Sequence, residues 1–101
     1  MMEKLFLLKP DFQDVNRDAE TKYFCPPCAL IEGVLSFYPK LRNELAITYV
    51  DFVRPRPAII ELIGEENQGC PVLVLEDGSF LNETDAIIQH LTENYKIGQA
   101  H

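Results

Sequence analysis

Cys25 and Cys28 are separated only by Pro26 and Pro27. A thiol pair this close is a poor structural staple. In a reducing compartment it serves redox exchange or supplies half of a metal site, unless it is an inert packed pair. A structural zinc takes four ligands. The other sulfur and imidazole donors are Cys70, His90 and His101, with no second Cys-x-x-Cys and no His-x-x-x-His. Redox exchange is therefore the better supported reading, with no metal ligand assigned. Attack on a disulfide needs the thiolate, and a free cysteine thiol titrates near pH 8.5. The positive end of a helix favours that anion. Cys25 directly precedes a helical pattern, which puts it at the N-cap with Cys28 one turn later. Cys25 is expected to attack and Cys28 to resolve the mixed disulfide. A cap side chain normally accepts from the second or third helical amide. Pro26 and Pro27 have no N–H, so only the Cys28 amide is left. The thiolate is then expected to be less stabilised than beside a single proline.

The elements that must hold this pair are legible as patterns. Met2 to Lys9 has the continuous apolar run of a central strand, ended by Pro10. Asp11 to Phe24 is polar, aperiodic and long for a loop, which suits a functional or mobile segment. Pro26 to Tyr38 is helical: Leu30, Ile31, Val34, Leu35 and Tyr38 form its apolar stripe, prolines occupy its tolerant first turn, and Pro39 stops it. Leu45 to Phe52 alternates as a strand, Arg54-Pro55-Arg56-Pro57 turns, and Ala58 to Gly64 is a short helix. Val72 to Leu75 and Ser79 to Leu81 flank the Asp77-Gly78 hairpin signal. Asn82 or Thr84 is expected to cap a last helix ending near Tyr95, before Gly98. Phe6, Phe37, Tyr49 and Phe52 fit the core or its margin, and His90 a surface or half-buried position. The order β-α-β-α-β-β-α predicts an α/β three-layer sandwich on a mixed four-stranded sheet, as one domain over residues 1–101.

Sixteen acidic against nine basic residues give a formal net charge of −7. That balance disfavours nucleic acid and anionic membrane as partners. No segment has the roughly 18 apolar residues of a membrane span, and Leu5 to Leu8 is too short for a signal-peptide core. A cytoplasmic protein is expected. The oligomeric state is not encoded in any pattern.

Three stretches make the chain resemble the thioredoxin-like superfamily, over roughly residues 3 to 96. It is most similar to glutaredoxins, to the N-terminal domain of glutathione transferases, and to an uncharacterised family of small bacterial proteins. Tyr23-Phe24-Cys25-Pro26-Pro27-Cys28 looks like a glutaredoxin active site, with Pro27 in place of the usual tyrosine. Gly69-Cys70-Pro71-Val72 occupies the place of a loop whose cis proline faces the active cysteines. Glu83-Thr84-Asp85-Ala86-Ile87 is similar to the glutathione-transferase stretch that holds the γ-glutamyl carboxylate. The resemblance implies a thioredoxin-like fold and thiol-disulfide oxidoreductase activity. No cofactor is required; glutathione is a potential cosubstrate and a disulfide-bearing protein the other partner class. It further implies that Pro71 is cis, that the Cys70 backbone pairs with a thiol peptide, and that Thr84 and Asp85 contact glutathione. Lys22 is a candidate for favouring the thiolate or binding the glycyl carboxylate. Arg54 and Arg56 are alternatives for the latter role, and each of the three is otherwise a solvated surface charge. Cys70 beside Pro71 is a third redox thiol, a ligand or a small packing residue, with packing preferred. The competing reading is a non-catalytic binding module that holds a peptide or a metal through Cys25, Cys28 and Cys70.

Overall fold

The computed structural model describes residues 2–101. In chain order the elements are β1 (Lys4–Leu8), α1 (Pro26–Phe37), α2 (Leu41–Glu44), β2 (Ala46–Val50), α3 (Pro57–Ile63), β3 (Val72–Val74), β4 (Phe80–Leu81) and α4 (Thr84–Tyr95). The four strands form one mixed sheet in the order β2-β1-β3-β4. β1 and β2 are parallel, with Leu5 opposite Ile47. A parallel pair needs a long crossover, and the segment carrying α1 and α2 supplies it. β3 runs antiparallel to both β1 and β4.

Strand alternation sorts the core into two faces. Leu5, Leu7 and Leu73 join Ile31 and Leu35 of α1 and Ile87 and Leu91 of α4 on one side. Phe6, Val72 and Val74 meet Ile59 of α3 on the other. Helices cover both faces, giving the α/β sandwich expected. Burial on both faces explains why β1 reads as an unbroken apolar run.

The boundaries agree with the sequence patterns except where short-range chemistry is subtle. α2 is unexpected. It is one turn, too short to show periodicity, yet Leu41 and Leu45 beside it are buried. α4 begins at Thr84 with Glu83 as N-cap and no side-chain cap hydrogen bond, so neither Asn82 nor Thr84 caps it. Its end is Lys96 in the left-handed region, not a glycine. Gly98 has another role: a Cβ there would press on the Tyr38 hydroxyl, so glycine lets the tail pass without displacing that ring while Ile97 plugs the core. Gly78 (φ 90°) makes the hairpin turn, its amide bonded to Leu75 O at 3.0 Å.

Phe37 is 82% exposed and Tyr49 40% exposed. Both had fitted the core or its margin on residue type alone. Leu30 of the α1 stripe is also half in solvent. At the end of the sheet away from the cysteines, Glu3 accepts from Tyr95 Oη at 2.6 Å and pairs with His90 Nε2 at 2.8 Å. These bonds fasten the last turns of α4 to the start of β1. Burial first, and then the bond to Glu3, pushes the Tyr95 hydroxyl above its usual range.

Candidate functional site

Residues 11–22 do not hang free of the body. Phe12 and Tyr23 exchange backbone hydrogen bonds at 3.0 and 2.8 Å, and Phe12 stacks on Phe52 at 4.3 Å between ring centroids. This closed arm delivers the chain back to Cys25.

Cys25 is the N-cap of α1, with an extended backbone. Its sulfur accepts the Cys28 amide at 3.2 Å, the one donor that the two prolines leave. No acidic side chain lies in the first turn of α1, so the positive helix end faces the Cys25 sulfur without an internal competitor. On its other side the Cys25 thiol points to the Cys70 carbonyl at 3.9 Å. The Cys70-Pro71 peptide is cis, as the resemblance implied. Arg54-Pro55 is a second cis peptide that the turn residues alone did not reveal.

Cys28 lies deeper, 4% exposed, and the Leu8 amide donates to its sulfur at 3.5 Å. The β1–β3 ladder ends at Phe6 and Val72, just before the cis Cys70-Pro71 peptide. Beyond its end the Leu8 amide is bonded to the thiol instead of to a strand partner. Burial, followed by the hydrogen bond with Cys25, pushes the Cys28 thiol up to about 12. Burial likewise pushes Cys70 up to about 11, with Arg56 opposing. Cys70 packs against both faces of the core, which agrees with a packing role. Among the described residues no group of three His, Cys, Asp or Glu side chains is disposed to hold a metal. The three cysteines are neighbours, Cys25 meeting the Cys28 amide on one side and the Cys70 carbonyl on the other.

These raised thiols couple to stability. Above the ordinary thiol value, about 8.5, the unfolded chain sheds protons that the folded chain keeps. Stability therefore falls with rising pH, from about pH 8.5 until the folded values are passed. Urea midpoints taken from pH 8 to 11 will decline, and a Cys28→Ala, Cys70→Ala double variant will show a shallower decline. Identical slopes would mean the two thiols titrate alike in both states.

The remaining candidates are placed by register. Continuing the β1–β3 and β3–β4 pairings sets Pro71 across from Leu7 and beside the Asn82–Glu83 turn into α4. Thr84, half-buried, and Asp85, exposed, therefore lie at the cysteine end of the sheet. Lys22 is exposed on the arm and forms no ion pair among the described residues. Arg54 is exposed, but Arg56 is only 5% exposed, so a solvated surface charge is the wrong description of it.

Two grooves open beside Cys25. One, of about 410 Å³, is bounded by Leu8, Pro10, Phe24, Ala29 and Tyr49 and reaches both cysteines of the pair. The other, of about 470 Å³, runs between the arm and Phe52 and also reaches Cys25. Phe24, 60% exposed, is the ridge between them. At the rim of the first, Tyr49 Oη donates to Glu32 at 2.7 Å, and Arg42 bonds both residues. Burial would raise the Glu32 carboxyl, but the bonds from Arg42 and Tyr49 outweigh it and hold the group below the ordinary carboxylate range. Phe24, Tyr49 and Glu32 were not singled out as site residues. Only tertiary contact reveals them, although Phe24 is adjacent to the motif.

Fold and site together define a small α/β domain with a paired-cysteine helix cap facing a cis-proline loop. A family model matches residues 2–99, and the chain belongs to that family, DUF3088, described as a protein of unknown function. Neither the curated proteins nor the solved structures contain a significant match.

Proposed function

We propose that this protein is a thiol-disulfide oxidoreductase of the thioredoxin-like class, working through Cys25 and Cys28 on glutathione mixed disulfides or disulfide-bearing proteins. The observation that carries the reading is the position of the Cys25 sulfur. It sits at a helix N-terminus, holds one amide hydrogen bond, and faces the carbonyl that precedes a cis proline. Cys25 thiolate attacks a sulfur of the substrate disulfide. The substrate S–S bond breaks, the leaving sulfur departs as a thiolate, and a mixed disulfide forms on Cys25. The Cys28 thiol then gives up its proton and attacks the Cys25 sulfur. The substrate leaves as a second thiolate, and Cys25 and Cys28 are joined. Two electrons have passed to the substrate, and an external thiol such as glutathione must return them.

The difference in depth between the two thiols supports this division of roles. Cys25 is half-buried and borders both grooves, whereas Cys28 is enclosed with its thiol pushed up to about 12. Burial of the resolving thiol keeps it protonated until the mixed disulfide brings a leaving group beside it. The α4 start, without a side-chain cap, leaves backbone amides for a carboxylate such as that of glutathione. The reading includes a cytoplasmic setting, in which thiols are kept reduced; no helix among the described residues is long and apolar enough to cross a membrane.

Incubation of the reduced protein with oxidised glutathione, followed by acid quench and mass spectrometry, tests the scheme. The unmodified chain will carry one internal disulfide. Cys28→Ser will instead accumulate a glutathione adduct on Cys25. An adduct-free Cys28→Ser protein would overturn the reading.

A further inference from the structure

Arg56 is buried, yet no carboxylate among the described residues pairs with it. An isolated cation in a protein interior is costly, by several kcal/mol even after relaxation. Here its donors go to backbone carbonyls. Nε bonds Asp51 O at 3.1 Å, Nη1 bonds Gln68 O at 2.6 Å, and Nη2 bonds Phe52 O. Its own amide is bonded to Gln68 Oε1 at 2.8 Å, and the Gln68 side chain donates onward to Glu65 O. The guanidinium also lies over the Phe52 ring, 5.8 Å from its centroid. The contacts neutralise the donors but leave a whole positive charge inside.

That charge is tied to the cysteine region through Gln68. Gln68, held at two points by Arg56, is two residues before Cys70, whose carbonyl faces the Cys25 sulfur. The same guanidinium ties together the segment leaving β2, at Asp51 and Phe52, and the approach to the cis-proline loop. We infer that Arg56 is a positioning residue of the redox site: it splints the Gln68–Pro71 loop against the body and supplies the positive charge that the thiolate form of the pair uses. Arg56 also opposes the upward push of burial on the Cys70 thiol. The inference rests on the redox reading above and adds to it a residue outside the motif, which no cysteine spacing indicates.

The consequence is a direction for the redox equilibrium. A charge that stabilises a thiolate stabilises the reduced form and makes the couple more oxidising. Arg56→Met keeps the length of the side chain and removes the charge. Its Cys25–Cys28 equilibrium with glutathione will shift toward the disulfide by about tenfold, equivalent to about 30 mV. Arg56→Lys keeps the charge but not the three-carbonyl fork, and it will stay within about threefold of the unmodified protein. A loss of packing alone would move both variants together. A folded Arg56→Met protein with an unchanged equilibrium overturns the inference.

If Arg56→Met does not fold, Arg56→Gln, which keeps hydrogen-bond donors and removes the charge, decides by charge preference. Alkylation of Cys25 by iodoacetate and by iodoacetamide is compared between this variant and the unmodified protein. The iodoacetate-to-iodoacetamide ratio will fall by about twofold or more in Arg56→Gln. An unchanged ratio overturns the inference. Alkylation needs no redox couple. A protein that never forms the Cys25–Cys28 disulfide would defeat the oxidoreductase reading, while the alkylation ratio would still decide on a cationic environment at Cys25.

Discussion

Replacing Cys25 by serine will lower the rate of glutathione-mixed-disulfide reduction on the order of a thousandfold, to the background of the small thiols present. A hydroxyl at the same place can accept the Cys28 amide and preserve the cap, so α1 keeps its start. What disappears is the polarisable sulfur nucleophile. Cys28 cannot replace it. Its sulfur is enclosed, bonded by the Leu8 amide at 3.5 Å, and its thiol is pushed up to about 12. Cys70 is no better, being held at about 11 and packed between the two core faces. Stopped-flow or coupled reductase assays on the two serine variants separate the roles. Cys25→Ser loses the first step, while Cys28→Ser retains it. Substantial turnover by Cys25→Ser would assign the nucleophile elsewhere.

Truncating Leu35 to alanine will cost roughly 2–5 kcal/mol of folding stability. Leu35 is fully buried on the face of α1 that packs toward β1, β3 and α4. The loss includes both transfer of the side chain from water and the hole left behind, because α1 and α4 are pinned to the sheet and close only in part. Small domains have about 5–15 kcal/mol in total, so this change removes a large share. Two positions along the same helix, Phe37 is 82% exposed, and Phe37→Ala should stay within about 0.5 kcal/mol. Urea unfolding at pH 7 with unchanged m-values is the measurement. A difference of less than about 1 kcal/mol between the two variants would mean that α1 is not seated as described.

That pair of positions also shows what the amino-acid order carries. Ile31 and Leu35 are read correctly because they recur at helical spacing with other apolar residues. Phe37 is misjudged because residue type was allowed to outweigh its place off the stripe. The cysteine cap was legible for a local reason: prolines without amides leave one possible donor, and that donor is the one used. The α4 cap was not, since Asn82 and Thr84 are the preferred capping types, whereas the backbone sets Glu83 at the N-cap with no side-chain bond. α2 has no period to detect. Arg56 could not be recognised from one sequence either. Its burial follows from three carbonyls of two separate segments converging on it, and nothing in Arg54-Pro55-Arg56-Pro57 distinguishes the inward arginine from the outward one.

The clasp of Glu3 with His90 and Tyr95 gives α4 unequal ends. One end is moored to the sheet by hydrogen bonds from an imidazole and a phenol, and the other enters the cysteine region without a side-chain latch. On the proposed function, the moored end would fix the helix to the sheet while the amides of the other end stay open to a ligand. Small tilts about the moored end would let the first-turn amides follow an incoming carboxylate while the sheet stays still.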